Sequence, residues 1–295
     1  MRVTQSMLSG NMLRNLSNSY SKMGELQNQI TTGKKVNRPS DDPVVAMKGI
    51  GLRSSLDKVE QFQRNLGEVH NLLDSSDDAL DKVGIALHRV QELVTQAASD
   101  SITPDDRTKI EKEITQIKEQ IRDMGNTKVG DKYIFSGTNT NSPLHDGTNF
   151  LTTITSPGVN KEVNIEVYDG VEISVNTKGL DIFKNIDDMI VGLEKDLQNP
   201  DLSGKDFDKY LTMKSDNEKA VLAARADIGA RQNRVEMMEN RLGAQEVIVT
   251  KQLSNNEDID YERAITEMVT QESIHQAALS VGAKIIQATL VDFIR

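Results

Sequence analysis

Apolar residues along the chain fall into periodic blocks separated by clear breaks. Met12, Leu16, Met23, Leu26 and Ile30 are spaced by four, seven, three and four, which predicts one stripe of a helix. "TTGKK" closes it, with Gly33 where a helix takes a C′ glycine. A second block runs at a strict spacing of seven through Leu52, Val59, Leu66, Leu73, Leu80, Leu87 and Val94. Three residues after each stand Ser55, Phe62, Val69, Ser76, Val83, Val90 and Ala97, so two of the fourteen seam positions are polar. Such a sustained heptad predicts coiled-coil-like packing. "SDSITPDD" breaks the pattern, with Thr103 as N-cap and Pro104 at N1 of the next helix. That helix carries Ile110, Ile114, Ile117, Ile121 and Met124 on one stripe.

The period changes after Gly125. "GNTKVGDKYIFSGTNTNSP" is rich in turn formers. Val163, Ile165 and Val167 alternate with polar residues, as do Val171, Ile173 and Val175. Asp169-Gly170 between them predicts a two-residue type I′ hairpin. Helical spacing returns at "LDIFKNIDDMIVGLEKDL" and, after a loop around Asn199-Pro200, at Val221, Ile228, Val235, Leu242 and Val249. "LSNNEDID" reads as an interruption before a last helix from Tyr261. Within "VGAKIIQATLVDFI" nine of fourteen residues are apolar, more than one helix face holds, so this end needs burial all round.

The order is nearly palindromic, which predicts a mainly α chain: an elongated antiparallel helical bundle, or coiled coil, of paired N- and C-terminal helices. Three parts are expected. Residues 1–36 with 257–295 form terminal coiled-coil arms. Residues 37–129 with 180–256 form a heptad bundle. Residues 130–179 form a small β insert at the tip.

Composition narrows the function. Aromatic residues make up 4% with no Trp, which suits helices burying one stripe each better than a large compact core. Net charge is −10, and no Lys/Arg cluster offsets it, so nucleic acid is not an expected partner. No run is long and apolar enough to span a membrane, and the first twenty residues lack the apolar core of a Sec-type signal peptide. The chain has no cysteine, which excludes disulfides and thiolate chemistry. His70, His88, His145 and His275 show no metal-ligand spacing, and no nucleotide or nucleophile motif is present. No catalytic, metal or cofactor site is expected, and no enzyme. Asp77-Asp78, Asp105-Asp106 and Asp187-Asp188 read as helix caps or solvated faces. In "NRPSDDPVVA", Asp42 before Pro43 reads as an N-cap with proline at N1.

Residues 1–30 carry only Arg2, Arg14, Lys22 and Glu25 as charges, their other polar positions being mostly Ser, Asn and Gln. Together with the apolar C-terminus this predicts self-assembly, with the arms ordering when subunits meet. The expected subunit-packing residues are Met12, Leu16, Met23, Leu26, Ile30, Ile274, Leu279, Val281, Ile285, Ile286, Leu290, Phe293 and Ile294.

Several stretches resemble the bacterial flagellin superfamily. "ITTGKKVNRPSDDP" (30–43) is similar to the stretch after its first helix, and "ADIGARQNRVEMMENRL" (226–242) to its counterpart in the second half. "EDIDYERAITEM" (257–268) and the terminal "ATLVDFIR" resemble its closing helix. "NRPSDDP", "DKYIFSGTNTNSP" and the C-terminus are most similar to members at the hook–filament junction. The resemblance implies a structural adaptor, exported unfolded through the flagellar type III apparatus without a cleaved signal and located outside the cell. It implies a ring of subunits between the adjacent hook-associated junction protein and flagellin. The terminal helices would form an inner tube, the heptad helices the next shell, and the insert would face outward. A flagellar export chaperone would cover the C-terminal helices beforehand. Arg38, Asp41 and Asp42 would lie in a loop between subunits. Two other readings stay open: the filament flagellin itself, and a cytosolic coiled-coil scaffold.

Overall fold

A computed structural model of the chain describes residues 5–99, 103–147, 149–151, 157–199 and 202–292. The described residues are mainly helical: α1 (Gln5–Thr32), α2 (Pro43–Ala97), α3 (Pro104–Gly125), α4 (Gly179–Leu197), α5 (Asp208–Glu257) and α6 (Tyr261–Asp292). Two short antiparallel hairpins lie between α3 and α4: β1 (Lys128–Val129) with β2 (Lys132–Tyr133), and β3 (Asn164–Tyr168) with β4 (Val171–Ser174). A single 3-10 turn, Gly204–Phe207, leads into α5. No helix among the described residues is long and apolar enough to cross a membrane.

The chain divides into two compact units, residues 59–244 and residues 1–58 with 245–295. The larger unit holds the core, a cluster running from Val59 to Leu242. The seven-residue repeats become its seams. Leu66, Leu73, Leu80, Leu87 and Val94 of α2 are buried, as are Val221, Ile228, Val235 and Leu242 of α5. Ser76 is tolerated in the α2 seam because its hydroxyl donates to the Leu72 carbonyl at 2.8 Å.

Polar pairs fix how α2 and α5 align here. Arg225 holds Asp77 from Nε at 2.8 Å and also reaches Asp81. Gln232 donates to Asp74 at 2.7 Å, and the buried Lys214 ammonium donates to Gln91 at 2.7 Å and to Glu218 at 2.8 Å. Numbers fall on α2 as they rise on α5, so the two run antiparallel.

Helix α3 starts as the sequence predicts. Thr103 is its N-cap, with its hydroxyl accepting from the Asp106 amide and proline following. Asp105 and Asp106 lie in the first turn, where acids favour the positive helix end. Helices α3 and α4 pack together. Phe183 of α4 meets Phe135 edge-on at 5.0 Å between centroids. Gly179 opens α4 because a Cβ there would stand 2.7 Å from the Phe135 Cβ.

Three expectations need correction. Asp187 is not on a solvated face: it is buried, and Arg122 of α3 grips it from Nε at 2.7 Å and Nη2 at 3.1 Å. A sequence-local reading cannot supply a partner 65 residues away. The β3–β4 turn is not type I′, which needs positive φ at both central residues. Gly170 has φ of 73°, but no residue other than glycine has positive φ among the described residues. Asp169 keeps an ordinary φ, and an irregularity between Glu166 and Tyr168 absorbs the extra residue. Finally, "LSNNE" does not interrupt the penultimate helix. Helix α5 runs to Glu257, and the break is confined to residues 258–260. The polar side chains at its end have partners on α2, Asn256 with the Val45 carbonyl at 2.9 Å and Glu257 with Arg53.

The β insert is bound to the helices by several polar and aromatic contacts. Arg231 of α5 donates to the carbonyls of Ser174 and Asn176, and Asn65 of α2 donates to the Glu166 carbonyl. Tyr168 stacks near Phe62, with the Arg241 guanidinium over its ring at 4.1 Å.

Candidate assembly surface

Helix α1 ends where Gly33 adopts φ of 71° and donates its amide to the Gln29 carbonyl at 2.8 Å, a left-handed C-terminal cap. The helix packs on α6. Met12 lies over Gly282, Ser19 bonds Gln271 at 3.3 Å, and Tyr20 tilts against His275 with centroids 6.1 Å apart. The order of these contacts makes the pair antiparallel.

The predicted α1 stripe faces inward. Leu26 is buried, and Met12, Leu16, Met23 and Ile30 are half-buried. The α6 residues behave differently. The face turned to α1 is Ala264, Met268, Gln271, His275, Ala278 and Gly282, spaced by four and three in turn. Ile274, Leu279 and Val281 are exposed, at 49%, 50% and 55%. At about 100° per residue, Ile265, Val269 and Leu279 form a stripe on one side of the α1-facing line, and Ile274 and Val281 one on the other. Leu13 and Tyr20 of α1 also point outward. The side chains of Ile285, Ile286 and Leu290, and the whole of Phe293 and Ile294, lie outside the described residues.

This unit therefore differs in kind from the larger one. The continuous buried cluster is confined to 59–242. The smaller unit instead exposes Val44, Met47, Ile50, Val247 and Ile248 besides the residues of α1 and α6. Scattered surface apolar residues are ordinary, whereas those of α6 repeat as two stripes along the helix.

Polar clamps join the two connectors of the unit. The Lys35 amide donates to the Glu257 carbonyl at 2.6 Å, and the Ile259 amide to the Gly33 carbonyl at 2.9 Å. The buried Glu257 carboxylate takes Arg53 Nη2 on both oxygens at 2.7 Å, with Lys34 Nζ at 3.5 Å. Lys34 also meets Asp258 at 2.7 Å. That hydrogen bond raises the lysine above its ordinary value and holds the aspartic acid below its own. Gly49 lets α2 pass this close, since a Cβ there would overlap the Glu257 carboxylate. The α1-facing line of α6 and this clamp escaped the sequence reading. The alternating spacing of four and three from Ala264 to Gly282 was the available signal for the first. The clamp left none, because its partners come from distant segments.

In residues 37–43 the acids serve the local backbone. Asp41 accepts from the Arg38 amide at 2.9 Å, closing a turn whose return bond runs from the Asp41 amide to the Arg38 carbonyl. Asp42 accepts from the amides of Val44 at 2.9 Å and Val45 at 3.1 Å, the N-cap of α2. Arg38 and Asp41 are exposed and Asp42 is half-buried. Asp42→Ala should lower stability by about 1 kcal/mol in urea denaturation. An assembly defect far larger than that loss predicts would mark the loop as an interface. His70 and His88 are surface residues, beside Asp74 and Glu218 respectively, each at 3.3 Å.

Comparison with known proteins agrees with this architecture. Residues 3–140 match the bacterial flagellin N-terminal helical region, and residues 213–294 match the bacterial flagellin C-terminal helical region. The chain is 24% identical over 313 residues to flagellar hook-associated protein 3 of Salmonella typhimurium strain LT2, covering 94% of this chain and 95% of that one. It is 26% identical over 294 residues to the flagellin of Bacillus subtilis strain 168, covering 96% of each. Among solved structures, a putative flagellar hook-associated protein from Vibrio parahaemolyticus aligns with a TM-score of 0.66 at 24% identity, over 74% of this chain and 100% of the other. Bacillus cereus FlgL aligns with a TM-score of 0.58 at 24% identity, over 69% and 99%. The fold is shared with both.

Proposed function

Because this chain belongs to the bacterial flagellin family and is a structural component of the flagellum, we propose that it is the self-assembling adaptor between hook and filament. The observation that carries this reading is the contrast between the two units. One has its own core, and the other turns two apolar stripes of α6 to the outside, with Leu13 and Tyr20 of α1 also exposed. Burying an Ile, Leu or Val side chain stabilises by ~1.5–3 kcal/mol. The five α6 residues Ile265, Val269, Ile274, Leu279 and Val281 are each about half exposed, so covering them by neighbours would contribute on the order of 5 kcal/mol gross per subunit.

In this reading the terminal helices pack against those of other copies in a ring. The adjacent hook-associated junction protein and flagellin lie on its two sides. An export chaperone shields the C-terminal helices before export through the type III apparatus, and Arg38, Asp41 and Asp42 stand between subunits. Full-length similarity to hook-associated protein 3 supports the junction role. Equally long similarity to a flagellin supports the alternative of a filament protein.

Electron microscopy of a deletion strain separates them. A junction protein leaves hooks without filaments and flagellin in the medium. In sheared flagella from the intact strain it is a trace band. A dominant band would assign the chain to the filament, and a protein never found outside the cell would sink both readings.

A further inference from the structure

The insert contains a histidine that the assembly surface does not use. His145 lies 4% exposed among the turns after β2. Its main chain is held on both sides by Asn126, the C-cap of α3: the Asn126 side-chain amide donates to the His145 carbonyl at 2.8 Å, and the His145 amide donates to Asn126 Oδ1 at 3.0 Å. Its ring meets Phe150 edge-on at 4.6 Å. Nδ1 accepts from the Gly147 amide at 3.0 Å, while Nε2 is buried with no hydrogen-bond partner among the described residues. Gly147 has φ of 93°, which bends the chain back to make that bond.

These contacts fix the protonation state. An acceptor at Nδ1 puts the single ring proton on Nε2 and keeps the imidazole neutral. A second proton at Nδ1 would face the Gly147 N–H, donor against donor. It would also leave a cation with no acceptor at Nε2, in a buried site. The charged groups around it offer little relief. Arg122 of α3 and Asp187 of α4 already neutralise each other. Glu119 of α3 and Asp146 beside the ring favour the cation, Arg122 opposes it, and burial outweighs both carboxylates, so the imidazole is held below its ordinary value near 6.5.

We propose that His145 is an acid-sensitive latch: protonation of its ring frees residues 144–147 from the end of α3 while the α3–α4 pair stays folded. The sign follows from linkage. The folded-state value lies below the unfolded one, so the latch is fully stable above about pH 6.5. It weakens about tenfold for each pH unit below that, until the folded-state value is reached. Opening also uncovers Leu144, now fully buried.

The test is amide exchange of the full-length chain by NMR between pH 7.5 and 5, corrected for intrinsic rates. Protection at Gly147 and Leu151, whose amides bond His145 and the Leu144 carbonyl, should fall progressively below pH 6.5, with a limiting slope of about tenfold per unit. Amides inside α3 and α4 should hold. His145→Asn keeps an acceptor near the Nδ1 position and cannot charge, so it should abolish the fall. Unchanged wild-type protection at pH 5 overturns the proposal, and so does an equal fall in the Asn variant. If that variant does not fold, the wild-type titration decides alone, read together with the ring's own proton signals.

Discussion

Cells whose chain stops before Ile285 should carry hooks without filaments and release flagellin into the medium. The deletion removes Ile285, Ile286, Leu290, Val291, Phe293 and Ile294. At ~1.5–3 kcal/mol each, the burial between subunits proposed for them would contribute on the order of 10 kcal/mol gross. The buried cluster at 59–242 loses nothing. The truncated monomer should therefore denature in urea with the same midpoint as the full chain while failing to assemble. Filaments growing on hooks of the truncated strain would refute the proposed role of these residues. A lowered monomer midpoint would instead place the arm within the protein's own fold.

Phe183→Ala should do the reverse, damaging the fold before any assembly. Phe183 is 0% exposed, meets Phe135 edge-on, and packs close to Gly125, where a Cβ would stand 3.2 Å from its ring. Truncating such a side chain costs ~3–5 kcal/mol through lost burial and a residual cavity. Since domains of ordinary stability hold only ~5–15 kcal/mol, the loss is a large fraction of the total. Urea denaturation of the purified chain measures it, and a loss under about 1 kcal/mol would show that the site collapses around the void. Ile274→Ser, on an exposed stripe, should change monomer stability by no more than ~0.5 kcal/mol and still weaken assembly.

Local and periodic features are legible in the sequence. The seam residues of α2 and α5, the Thr103-Pro104 start, the Gly33 stop and the Asp42 cap all follow from spacing and backbone chemistry within a few residues. What escaped was pairwise and long-range. Arg122 finds Asp187, and Arg53 finds Glu257, across separations of 65 and 204 residues. No periodic pattern records such a partner. The inward face of α6 escaped for another reason. Hydrophobicity drew attention to Ile274, Leu279 and Val281. Close helix approach instead selects small side chains such as Ala264, Ala278 and Gly282, which carry little hydropathic signal. The β3–β4 turn shows the limit of dipeptide preference: Asp-Gly marks the turn correctly but does not fix its type.

That same turn has a practical use. Asp169 and Gly170 are exposed, and a side chain at position 170 would have open space around it. The natural chain contains no sulfhydryl group. One cysteine substituted for Asp169 would thus be a unique attachment point for a maleimide dye, remote in sequence from the helices proposed to bind other copies. Single labelled molecules could then be counted on living cells, turning subunit number into an optical measurement.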